Sequence, residues 1–98
     1  MSIFLDNYML KKKDLDKLLT LVRKWHKEKD PELSQIYSEQ IEVLSREIAA
    51  GTSLAYEEPV GNRLFLYAWH IAEKRWTNEQ FYIMIERAGE KVDGWEYQ

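Results

Sequence analysis

Residues 59–81 read PVGNRLFLYAWHIAEKRWTNEQF. From Pro59 the apolar residues follow helical spacing, with Val60, Leu64, Tyr67, Ala68 and Ile71 on one side and Phe65, Trp69, Ala72 and Trp76 on the next. A helix apolar over so wide an arc has to be enclosed by others, so a third helix at about 60–75 is expected to be the central one. The same stretch carries a restart. Thr77 is placed to cap a new helix, Gln80 completes a capping box three residues on, and Trp76 and Phe81 hold the N′ and N4 positions of a hydrophobic staple. A fourth helix is predicted at about 78–88, with Phe81, Met84, Ile85 and Ala88 turned inward and Gly89 as its stop.

Working back from there, Leu15, Leu18, Leu19, Val22 and Trp25 form the stripe of an amphipathic helix 1 at about 12–28, with Lys17, Arg23, Lys24 and Lys27 off the stripe. Asp30 then offers a capping oxygen, Pro31 occupies the first helical position where its missing N–H costs nothing, and Glu32 meets the positive end of the dipole. Helix 2, at about 31–50, carries Leu33, Ile36, Tyr37, Ile41, Leu44 and Ile48 and is stopped by Gly51. The short KEKDP junction makes helices 1 and 2 a hairpin, and TSLAYEEP reads as a loop. Val92 is expected to dock on the edge, after which DGWEYQ leaves the bundle. No segment alternates as a β-strand does. The expected fold is therefore all-α: a single-domain antiparallel four-helix bundle over residues 1–98 with a short C-terminal tail.

Composition fits one modest core. The 98 residues are 45% hydrophobic and 32% charged, too apolar for a disordered chain and too charged for a membrane protein. The absence of cysteine excludes a disulfide framework or a thiolate site, so packing alone holds the fold. The lysines of MSIFLDNYMLKKK follow the apolar residues, the reverse of a secretory signal, and LFLYAWHIA is far short of the ~20 residues that span a bilayer, so a cytoplasmic protein is expected. Residues 1–30 hold eight Lys or Arg against five acids, whereas residues 31–60 hold one Arg against six Glu. With an acidic total of −3, that asymmetry suits complementary flanks of a helix pair better than a nucleic-acid surface, and no nucleic acid is expected as partner. The lysines at 11–13, with Phe4 and Tyr8 nearby, offer a peripheral contact with anionic lipid that Asp14 and Asp16 blunt.

No catalytic constellation emerges. His70 and Glu73 lie three apart and invite an acid–base or metal reading, but one such pair lacks further ligands, and a histidine in so apolar a run reads as a hydrogen-bonded core residue. His26, amid lysines, reads as a surface residue. Glu39, Glu42, Glu47 and Glu73 do not reproduce the Glu-x-x-His pairs of helical di-iron sites, so no metal is expected. Ser34, Ser38, Ser45, Thr52 and Ser53 stand in no nucleophile motif, and the glycines at 51, 61, 89 and 94 are too isolated to cradle phosphate. Neither enzymatic activity nor a cofactor is expected.

Four stretches together resemble a known family: KDPELSQIYSEQIEVLSREI, a capped second helix after a basic first one; AAGTS, a Gly-Thr-Ser turn; VGNRLFLYAWHIAEKRWTNEQ, an Asn-Arg-Leu opening with a polar-aromatic turn; and the late DGWEYQ. Over roughly residues 15–97 the chain is similar to the immunity proteins that protect producers of class IIa (pediocin-like) bacteriocins. The resemblance implies an antiparallel four-helix bundle that is cytoplasmic and non-enzymatic. It implies action at the inner side of the membrane on the sugar permease of the mannose phosphotransferase system once bacteriocin has engaged it. It also implies that the fourth helix and the tail largely determine which bacteriocin is resisted.

The contact residues expected on that basis are Lys74, Arg75, Arg87, Lys91, Trp95 and Tyr97. Trp, Tyr and Arg are also the residues that most often anchor interfaces. Two compatible roles stand for Trp95: a recognition element, or a latch that packs on the bundle. A monomer is expected. The alternative function is a small phage- or plasmid-encoded regulator that binds a host protein or nucleic acid; a further rival is an enzyme fragment with His70 as base.

Overall fold

A computed structural model describes residues 10–96. Phe4, Tyr8 and Tyr97, named above, lie outside the described residues. Among those described, four α-helices account for most of the chain: α1 (Lys12–Lys27), α2 (Pro31–Ala49), α3 (Arg63–Lys74) and α4 (Asn78–Arg87). Each lies within three residues of the bounds its apolar pattern predicts. Four two-residue strands, none of them expected, join the helices: β1 (Leu10–Lys11), β2 (Glu57–Glu58), β3 (Gly61–Asn62) and β4 (Val92–Asp93).

The helices form where side chains satisfy their ends. The Asp30 carboxylate accepts the Glu32 N–H at 2.9 Å ahead of Pro31, and Gly51, at φ 81°, supplies the left-handed stop for α2. Leu15, Leu18, Leu19 and Val22 of α1 are fully enclosed with Leu64, Ala68 and Ile71 of α3 and with Phe81 and Ile85 of α4. Each such aliphatic or aromatic side chain contributes roughly 1.5–3 kcal/mol by leaving water. On α2 only Ile41, Ser45 and Ala49 are buried, and Leu33 and Ile36 of the expected stripe are exposed because they lie on a side of the helix that no described element covers.

Helix α3 begins at Arg63 rather than near residue 60. Gly61, at φ 142°, has a backbone that no helix permits, and Asn62 accepts the Phe65 N–H at 2.8 Å as N-cap. Pro59 and Val60 instead form the tip of an antiparallel hairpin in which Glu57 pairs with Asn62 and Glu58 with Gly61, leaving Val60 70% exposed. Asn62 is itself buried and donates to the Ser45 hydroxyl at 3.0 Å, which fastens the hairpin to α2.

The turn between α3 and α4 is not held by the expected capping box and staple. Arg75 adopts φ 58° and the Trp76 N–H reaches back to the Ile71 carbonyl at 3.0 Å, a Schellman ending built on arginine. That ending carries Trp76 onto His70, whose ring it meets edge-on at 5.1 Å, instead of over Phe81, and the Thr77 side chain makes no capping bond. The Arg23 guanidinium clamps the turn to α1 instead, donating to the Trp76 carbonyl at 2.7 Å and to the Asn78 side-chain oxygen.

The tail does not leave the bundle at Asp93. Strand β4 runs parallel to β1, with Leu10 opposite Val92 and Lys11 opposite Asp93, and both Leu10 and Val92 are buried. The Val92 N–H donates to Glu86 at 3.0 Å, and Glu90 accepts from the Ser53 N–H and hydroxyl at 3.0 and 2.6 Å. The two ends of the described chain are thereby joined beside α1.

Candidate recognition surface

Two surfaces, one at each end of α4, collect the residues expected to make contacts. The first lies where α1 ends. Arg23, His26, Lys27, Lys29, Arg75 and Trp76 line a groove of about 720 Å³ whose floor includes the Ala72 methyl. Glu28 is the one acid on its wall, so the groove is basic. Its two aromatic lining residues are backed by further rings: His26 lies 5.0 Å from Trp69, which lies 5.1 Å from Trp25, and Trp76 rests on His70. His70 is therefore a half-buried ring packed against Trp76 rather than an enclosed core residue. Lys74 is exposed one residue from Arg75.

The second surface surrounds Trp95. Its ring is half-buried and lies 5.4 Å from the Tyr82 ring, so the aromatic is latched to α4 while part of it faces water. Lys91 shares its shallow depression, but Glu86, Asp93 and Glu96 line it too, making this end acidic. Arg87 is exposed in the last turn of α4. The expected contact set thus divides, with Lys74 and Arg75 at one end and Arg87, Lys91 and Trp95 at the other, separated by the ~15 Å that a ten-residue helix spans.

A polar hub fixes the second surface to α1. The Asp16 carboxylate accepts from Lys12 at 2.9 Å, from the Asn78 amide at 2.9 Å and, by a short hydrogen bond, from the Tyr82 hydroxyl. Partial burial pushes this carboxyl up, but the bonds from Tyr82, Lys12 and Asn78 outweigh it and hold its pKa below the ordinary value. Burial first, and then the bond to Asp16, raise the Tyr82 phenol. Its neutral hydroxyl therefore stays the donor. Because Tyr82 also carries Trp95, the hub sets where the terminal aromatic sits.

Sequence reasoning missed Lys29, His26 and Trp76 as parts of one groove. The signals were the basic run from Arg23 to Lys29 and the aromatic at the α3–α4 turn, which adjoin only after α1 packs on α3. Among the described residues no group of three or more His, Asp or Glu side chains is placed to hold a metal ion, and no helix is long and apolar enough to cross a membrane. No family model, curated protein or solved structure matches the chain.

Proposed function

We propose that the chain is an immunity protein of the pediocin-like type, a non-enzymatic binder that acts from the cytoplasmic side on a mannose-type sugar permease engaged by its bacteriocin. The observation that carries the reading is the single helix α4 with a basic aromatic groove at its start and a latched, half-exposed Trp95 past its end. The residues that the family resemblance assigns to peptide discrimination, those of the fourth helix and tail, then include the surface around Trp95, while the basic groove lies at the other end of α4. Aromatic side chains held by packing, as Trp95 is against Tyr82, lose little freedom on docking, which favours affinity. The helices are read as an antiparallel bundle, a reading supported by the short links, three residues between α1 and α2 and three between α3 and α4. Peripheral membrane contact follows from the location of the permease.

Expression in a sensitive host challenged with a panel of pediocin-like peptides tests the proposal. Protection against at least one peptide is expected, reduced by Trp95→Ala and by Arg75→Ala; cells that stay fully sensitive to every peptide while making folded protein would refute it. The basic groove also favours a second reading, a phage- or plasmid-encoded regulator that binds nucleic acid or a host protein. Phosphate contacts through Lys27, Lys29 and Arg75 would give an affinity that falls steeply with salt, so a mobility-shift titration without binding at low salt eliminates nucleic acid.

A further inference from the structure

The least explained part of the surface is the outer side of the α1–α2 pair. Leu33, Ile36 and Val43 of α2 are 42%, 48% and 58% exposed, three large apolar side chains spaced so that they share one helix face. Beside them Leu21 of α1 and Leu44 of α2 floor a shallow groove of about 800 Å³. The groove's two rims have opposite charge. Lys17 and Lys24 stand along α1, Glu39 and Glu47 along α2, and among the described residues none of the four forms an ion pair.

We propose that this face pairs with a second copy of the chain in a twofold dimer. An apolar centre between one basic and one acidic rim is complementary to itself. Rotation about an axis parallel to the helices, lying in the interface above Leu21 and Leu44, lays the lysine rim of one copy over the glutamate rim of the other, with Val43 between Glu39 and Glu47 facing the other copy's α1 and the Leu21–Leu44 floor facing its own counterpart. Rotation about an axis across the helices would set lysine over lysine and glutamate over glutamate. Charge therefore selects the first arrangement, in which each helix runs parallel to its own counterpart and α1 of one copy lies over α2 of the other. An anionic membrane would be repelled by the Glu39 and Glu47 rim, and a basic or acidic partner helix would satisfy only one rim. The face is about as long as the 16-residue α1, ~24 Å, which places the contact at the small end of protein interfaces and makes the dimer reversible with concentration. Such a dimer differs from the monomer expected from sequence, and its interface does not include Arg75 or Trp95.

Sedimentation velocity over a wide concentration range, on the full chain, tests this. The wild type is expected to pass from monomer to dimer as concentration rises, and Val43→Lys is expected to weaken dimerisation at least about tenfold. The pair Lys17→Glu with Lys24→Glu and the pair Glu39→Lys with Glu47→Lys should each weaken it to a similar degree, whereas an equal mixture of the two variants should recover a heterodimer. Circular dichroism checks that each variant keeps its helices. A wild type that stays monomeric throughout, a dimer indifferent to Val43→Lys, or a mixture that fails to recover association overturns the proposal. So does a monomer that binds anionic vesicles through Val43, because the face would then belong to lipid.

Discussion

Replacing Asp16 with alanine should destabilise the protein more than any other exchange of a partly exposed charged residue. Its carboxylate accepts three hydrogen bonds, two of them from α4, at Asn78 and Tyr82. Tyr82 is only 3% exposed, so its hydroxyl cannot turn fully to water once the acceptor is gone, and a hydrogen bond to a charged group of that kind is worth about 1.5–2 kcal/mol. Asn78 is less enclosed and recovers part of its bond from solvent, for a loss of about 1 kcal/mol. The Lys12 pair is exposed and adds nothing to the sum. The total of about 3 kcal/mol is a large part of the 5–15 kcal/mol typical of a domain and should lower Tm by roughly 12–20 °C. Urea unfolding followed by tryptophan fluorescence measures it, with Tyr82→Phe and the double variant completing a cycle. A coupling energy of about 1–2 kcal/mol between positions 16 and 82 is expected. If Asp16→Ala stays within about 0.5 kcal/mol of wild type, or the coupling vanishes, the hub does not hold α4 to α1.

Three further outcomes follow from particular contacts. Because the folded Asp16 carboxyl is lowered, its stabilisation is complete above the unfolded value of about 3.9 and drains away as pH falls through the folded value; the raised Tyr82 phenol contributes fully below about 10 and is lost as pH climbs through its folded value. Melting curves across pH should therefore decline on both flanks, with Tyr82→Phe removing its own part of the alkaline decline. Asn62→Ala takes away both the cap on α3 and the buried bond to Ser45 and should cost about 2 kcal/mol, read as a lower urea midpoint at unchanged m-value. Gly61→Ala would place a methyl 2.8 Å from a Phe65 ring carbon at φ 142°, so a loss of more than about 1 kcal/mol is expected, together with altered Trp25 fluorescence as the neighbouring ring shifts.

How far the surface was legible depends on how far each signal reaches. The family resemblance together with residue type nominates Arg75 and Trp95, but not their distribution to opposite ends of α4, because nothing local to Trp95 announces Tyr82 as its seat. Arg23 looked like one more solvated cation. Only when α1 crosses the α3–α4 turn does its guanidinium meet the Trp76 carbonyl and Asn78, 53 and 55 residues away. The staple expected at Thr77 gives way for a related reason: the Schellman ending at Arg75 turns Trp76 onto His70, and Arg23 holds the turn from α1.

By itself the sequence determined the helices, since apolar spacing, the Asp30–Pro31 start and the glycine stops at 51 and 89 act within a turn or two of where they stand. Tertiary structure alone decided the pairing of Leu10 with Val92, the hub at Asp16, and the fact that Leu33, Ile36 and Val43 remain in water. Two-residue strands leave no periodic trace, and a hydrogen bond between residues 66 positions apart exists only if packing brings their helices together. Whether an apolar stripe becomes core or interface depends on how many other stripes are there to cover it, a property of the whole arrangement that no single helix encodes.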